Sequence, residues 1–142
     1  MTTVQGVAEA VLYVDDLAAA TAFYRDVLGL PVTLTFSDTS FLQAGPHSSL
    51  ILFDREQLRV RRSAIPHHGT VGPGHVALSM EYDCVDEWRQ RLQRHGIAIE
   101  HEQRWPQGTY SLYFRDPAGN SVELIDDRHY PQLWERLMAG ES

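Results

Sequence analysis

The sequence contains no lysine; all 12 of its basic residues are arginine. Schiff-base catalysis and a P-loop lysine are excluded on that ground. A single cysteine, Cys84, rules out an internal disulfide and suits a reducing compartment. Positive charge is outweighed by 19 acidic residues, for a net charge of -7. Binding a phosphate backbone needs clustered positive charge, so no nucleic-acid partner is expected. No stretch approaches the roughly 18 consecutive apolar residues of a transmembrane helix. Met1 to Gly6 lacks a basic segment leading into an apolar one, so no signal peptide is expected. The resulting expectations are no membrane partner and a cytoplasmic location.

What is present reads as a folded chain. Its 142 residues are 43% hydrophobic and 22% charged, which fits one compact domain or two small repeated halves. Ala8 to Val14 is short, apolar and rich in strand formers, and Asp15-Asp16 after it offers a helix cap. Leu17, Ala20, Phe23, Tyr24, Val27 and Leu28 have helical spacing, and Gly29 closes that helix. Strand-like runs follow at Leu30–Phe36, Ser40–Ala44 and Ser48–Phe53, separated by turn residues. Residues 55–73 form a connector with Arg59, Arg61, Arg62 and the run Pro66-His67-His68-Gly69; its composition argues against a buried regular element. The order then repeats. His75–Met80 is a strand, Asp83–His95 a helix closed by Gly96, and Ile97–Arg104, Tyr110–Phe114 and Ser121–Ile125 are strands. Two βαβββ units in series indicate an internal duplication. Tyr130–Met138 is expected to form a short helix.

Strand alternation sorts the candidate ligands. Ala10, Leu12 and Val14 suit packing under the first helix, which leaves Glu9, Val11 and Tyr13 on the opposite face. Val76, Leu78 and Met80 likewise leave His75, Ala77 and Ser79, and Val122 and Leu124 leave Ser121, Glu123 and Ile125. One ionisable residue thus stands on the same kind of face in three strands: Glu9, His75 and Glu123. Taken singly, each is a strand-end side chain in water or a satisfied histidine. Taken jointly, their shared parity suits a divalent cation, which offsets the cost of burying carboxylates. Oxygen and imidazole donors accommodate Mn²⁺, Fe²⁺, Ni²⁺ or Zn²⁺.

Three stretches carry a resemblance. They are Val11-Leu12-Tyr13-Val14-Asp15-Asp16-Leu17 with Phe23 to Leu30, then Gly74-His75-Val76-Ala77-Leu78, then Ser111 through Asp116-Pro117-Ala118-Gly119-Asn120 to Leu124. In this order and spacing the chain resembles the vicinal oxygen chelate superfamily of glyoxalases, bleomycin-resistance proteins and extradiol dioxygenases, over roughly residues 7–126. The resemblance implies an α+β fold of two tandem βαβββ modules whose curved sheets form a metal-binding cup. Within a single domain, the modules span 7–54 and 74–126, joined by the connector 55–73 and followed by a helical tail at 127–142. The family's ligand positions fall on Glu9, Ile51, His75 and Glu123. His75 and Glu123 match the usual residue types. Glu9 departs from the commoner histidine, and Ile51 cannot ligate. The implied cofactor is a divalent metal ion held by Glu9, His75 and Glu123, and the implied chemistry is bidentate chelation of a small molecule with vicinal oxygens.

Glu9, Glu123 and Tyr113 are the candidate catalytic residues. Tyr13 and Tyr113 could donate to a bound oxygen or pack as half-buried aromatics. His67 and His68 could fold over the site or remain loop histidines. The arginine cluster could attract an anion or stay solvated, Arg115 is read as solvated, and Trp105 and Trp134 could wall a pocket or simply pack. Cys84 is read as structural. The leading function is a metal-dependent enzyme with dioxygenase-like or glyoxalase-like chemistry. Fosfomycin-type opening fits the Ser-x-Tyr-Phe-x-Asp-Pro stretch, with only arginine available to bind a phosphonate. The alternatives are a non-catalytic drug-binding protein of the bleomycin-resistance kind and a scaffold that has lost catalysis. A homodimer is expected, with the site inside one chain or shared between two.

Overall fold

The computed structural model describes residues 2, 7–62, 64–81, 83–105, 108–126 and 139–140. The chain divides into two compact units, Met1–Gly74 with Asp116–Asn120, and His75–Arg115 with Ser121–Ser142.

In the first unit, strand β1 (Glu9–Val14) runs into helix α1 (Leu17–Ala22). Asp16 caps α1 by accepting from the Ala19 N–H at 3.0 Å, which satisfies one of the free donors of the first turn. The spacing predicts one helix to Leu28. Instead the winding widens to π-helical over Phe23–Val27, and Phe23, Tyr24, Val27 and Leu28 are all buried. Gly29 adopts φ +73°, the left-handed conformation expected at a helix end. Strands β2 (Val32–Thr35), β3 (Thr39–Gln43) and β4 (Ser49–Asp54) complete a sheet of order β1-β4-β3-β2, with β1 and β4 parallel.

Strand β4 is buried on both faces: Leu50 and Leu52 on one, Ile51 and Phe53 on the other. A parallel pair with both faces covered needs a second layer, and the connector supplies it. Residues 55–73, expected to hold no buried regular element, open with a regular but largely exposed one, of which only Leu58 is buried. Asp54 ends β4 and caps helix α2 (Arg55–Val60), accepting from the Gln57 N–H at 2.9 Å. Leu58 of α2 clusters with Tyr13, Ile51 and Phe53.

The turn after the seventh strand also packs in this unit. Asp116 and Asn120 are buried. The Tyr24 hydroxyl donates to Asp116 Oδ2 at 2.9 Å, and burial together with that carboxylate raises the phenol's pKa far above its ordinary value. Asp116 Oδ1 accepts from the backbone N–H groups of Ala118 and Asn120. Asn120 in turn accepts from the Gly74 N–H at 2.7 Å and donates to the Tyr13 carbonyl at 3.2 Å.

The second unit repeats the topology. Strand β5 (His75–Met80), helix α3 (Val85–Arg94) and strands β6 (His101–Arg104), β7 (Tyr110–Arg115) and β8 (Ser121–Asp126) give a sheet of order β5-β8-β7-β6, with β5 and β8 parallel. Strand β6 begins four residues later than its hydrophobicity predicts, although the Glu100 N–H still donates to the Tyr113 carbonyl at 2.7 Å. Helix α3 buries Leu92 and is tied to the sheet by Arg89, whose Nε donates to Glu102 Oε1 at 2.6 Å. The helix expected at Tyr130–Met138, with Trp134, lies outside the described residues. Among the described residues no helix is long and apolar enough to cross a membrane.

Candidate functional site

The parallel pairing of β5 with β8 sets His75 directly beside Ser121 and Ala77 beside Glu123. Glu123 is therefore the diagonal neighbour of His75 on one face, within reach of a long side chain. His75 Nδ1 lies 3.1 Å from the Ser121 carbonyl. A carbonyl only accepts, so Nδ1 carries the proton and donates. That leaves Nε2 facing Glu123 Oε2 at 3.3 Å. His75 is half exposed while the Glu123 side chain is 9% exposed.

The other carboxylate oxygen, Glu123 Oε1, is held from two sides. It accepts from Ser111 Oγ at 2.7 Å and from the Tyr113 hydroxyl at 3.0 Å. Ser111 in turn accepts from the indole Nε1–H of Trp105 at 2.8 Å. Burial, then the bond to Glu123, pushes the Tyr113 phenol up to about 12, so it keeps its donor proton at neutral pH. With Oε1 and Nδ1 committed, the atoms left to face each other are Oε2 and Nε2, both with lone pairs. With a neutral imidazole the two repel; a proton on Nε2 or a cation bound by both relieves the repulsion. One imidazole nitrogen and one carboxylate oxygen, each oriented by its outer partner, are a donor set that fits a divalent ion.

The first sheet has the matching register. Glu9 pairs with Ser49 as His75 pairs with Ser121, and Ile51 sits two residues past Ser49 as Glu123 sits past Ser121. The structure brings His75 and Glu123 together in the second unit. Glu9 is exposed in the first, where it lines a pocket with Ile51. Among the described residues no group of three His, Cys, Asp or Glu side chains is assembled to hold an ion.

The remaining candidates are placed as follows. Tyr13 is buried, and its hydroxyl lies 2.5 Å from His68 Nδ1; burial raises its pKa. Two of the three connector arginines are engaged: Arg59 with Glu56, and Arg61 with Asp38 and Thr39. Arg115 pairs with Glu100 at 2.7 Å. The Cys84 thiol is pushed up by burial and by Glu87, Glu81 and Asp83, the opposite of what an activated nucleophile needs. Sequence reasoning missed Ser111 as a partner of Glu123. Its one signal was parity, since Ser111 and Tyr113 face the same way on β7.

A duplicated unit with parallel first and last strands, bearing an oriented imidazole–carboxylate pair, defines an α+β protein of the tandem βαβββ class. The chain belongs to the Glyoxalase/Bleomycin resistance protein/Dioxygenase superfamily, whose family model matches residues 6–124. It is 34% identical to biphenyl-2,3-diol 1,2-dioxygenase 3 of Rhodococcus globerulus, over all of this chain and 74% of that protein. It is 29% identical to the metallothiol transferase FosB of Staphylococcus epidermidis, over 78% of this chain and 74% of that protein. Among solved structures, the lactoylglutathione lyase of Agrobacterium tumefaciens superposes with a TM-score of 0.84 and 41% identity, covering 92% of this chain and 99% of that one.

Proposed function

We propose that the protein is a metal-dependent enzyme that binds a small molecule through two adjacent oxygens, with dioxygenase-like or glyoxalase-like chemistry. The observation that carries this is the convergence of His75 Nε2 and Glu123 Oε2 at 3.3 Å, each with its outer atom already hydrogen-bonded. Glu9 is assigned as the third ligand on the register it shares with His75. A divalent ion with three protein ligands keeps positions open for a chelating substrate and supplies Lewis acidity there. Ser111 and Tyr113 fix the Glu123 carboxylate, and the Ser121 carbonyl fixes the His75 tautomer. Tyr113 and Glu123 are the groups proposed to hold or move a proton at the substrate. The dioxygenase, thiol transferase and lyase relatives support the class of reaction without choosing among them.

The second reading is a non-catalytic drug-binding protein of the bleomycin-resistance kind, which the apolar pocket of the first unit favours. Metal content separates the two. Protein purified without chelator or affinity tag is analysed by mass spectrometry beside a Glu9→Ala/His75→Ala/Glu123→Ala variant. Near-stoichiometric metal in the parent and none in the variant is the expected result. Iron would then point to oxygenation, nickel or zinc to isomerisation, and manganese to fosfomycin-type addition. A parent that stays empty after reconstitution with each ion would support the drug-binding reading instead.

A further inference from the structure

Strands at corresponding edges of the two sheets carry opposite chemistry. Strand β6, at the edge of the second sheet, reads His101-Glu102-Gln103-Arg104, and Glu102 pairs with Arg89. Charged side chains on an edge strand discourage further strand pairing. Its counterpart β2, at the edge of the first sheet, reads Val32-Thr33-Leu34-Thr35, and the last three are exposed. From Val27 to Phe53 the only Asp, Glu, Lys or Arg is Asp38, in a chain that is 22% charged. Asp38 is neutralised within the chain, where Arg61 Nε donates to its Oδ2 at 2.8 Å.

The backbone of this edge points outward at a definite residue. The Phe36 N–H donates to the Thr39 carbonyl at 2.8 Å, and Thr35 is next along, opposite Ser40. Antiparallel pairs alternate between hydrogen-bonded and non-hydrogen-bonded, so the Thr35 N–H and C=O turn away from β3. Among the described residues no strand takes them up. Apolar surface flanks them on both faces. Leu34 is 48% exposed on the face it shares with Phe41. On the other face Ala18, Thr21 and Ala22 of α1, with Val32, Thr35 and Phe36, line an open groove of about 480 Å³. Phe36 is 54% exposed at its end. Arg25, the one charged residue lining the groove, pairs with Asp26 at 2.7 Å. The register shift between Val32 and Leu34 confines a regular free edge to the Leu34–Phe36 end.

Such an edge is completed by an uncharged strand with a matching row of donors and acceptors. A second copy of β2, run antiparallel about a two-fold axis, meets both conditions, because an isologous contact sets the same surface against itself. Copies of net charge -7 repel one another, and this stretch lets them meet without opposing carboxylates.

We propose that β2 is a self-association edge: two copies pair it antiparallel about a two-fold axis, and the Phe36 of each lies against the groove of the other. Sedimentation of the full-length protein at micromolar concentration is compared with that of two variants. Leu34→Lys sets like charges against each other across the axis. Thr35→Pro removes the outward N–H and spares the β2–β3 ladder. The parent is expected to be a dimer, and each variant to weaken it by at least about tenfold. Val60→Lys, at a residue 67% exposed on α2, leaves the dimer unchanged. Circular dichroism checks the fold of each variant, and Leu34→Lys, at an exposed side chain, carries the test if Thr35→Pro unfolds. In isotope-labelled parent protein the Thr35 amide exchanges with solvent more slowly as concentration rises. A monomeric parent, whose edge would belong to a partner of another kind, overturns the proposal, and so does a dimer that survives Leu34→Lys.

Discussion

At the scale of single residues, the second unit spends three side chains on one oxygen. Ser111 and Tyr113 both donate to Glu123 Oε1, and Trp105 orients Ser111. Outer partners of this kind typically alter metal affinity by about 10- to 100-fold. Tyr113→Phe keeps the ring and removes one donor, so it should weaken metal binding by about tenfold while Ser111 still holds the carboxylate. The same variant has a signature in alkali. Tyr113 is raised from 10.0 to about 12, first by burial and then by Glu123. The folded chain therefore holds a proton that the unfolded chain releases. The stabilisation is complete below pH 10 and is lost as the pH climbs to about 12. Chemical denaturation across that window should show the parent losing stability relative to Tyr113→Phe; parallel curves would mean that the hydroxyl is not held as described.

At the scale of elements, what could be read from the sequence followed from periodicity, and what could not depended on contacts made far along the chain. Alternation alone put Glu9, His75 and Glu123 on corresponding faces, and the register agrees. Helix α2 escaped because Arg55–Val60 has one buried apolar residue, Leu58, and a single short helix offers no repeat to detect. Its start is set by Asp54, which reads as the end of a strand. Asp116 and Asn120 read as turn punctuation, yet they are buried partners of Tyr24, Tyr13 and Gly74. The Ser111–Glu123 bond joins adjacent strands, and residue type alone did not announce it. Helix α2 is also where a single change should tell most. Leu58→Ala should cost about 2–4 kcal/mol by chemical denaturation, since the side chain packs on Tyr13, Ile51 and Phe53. A cost near zero would show that α2 does not cover this sheet.

For the molecule as a whole, the two units carry different equipment on one topology: a polar pair on β5 and β8, and an apolar cavity over β4. We expect a homodimer, with Glu9 completing the ligand set from the same or a second copy. Sedimentation at micromolar concentration tests this, and a strict monomer would discard it. The loop 116–120 has a further consequence for how the chain is made. The first unit's Gly74 N–H, Tyr13 carbonyl and Tyr24 hydroxyl find their partners in Asp116 and Asn120. A ribosome delivers those two residues only after nearly all of the second unit's strands have emerged. The earlier half of the duplication therefore gains these contacts only once three of the later half's four strands have been translated. The earlier half waits, with its interior unfinished, for a turn that belongs in sequence to the later one.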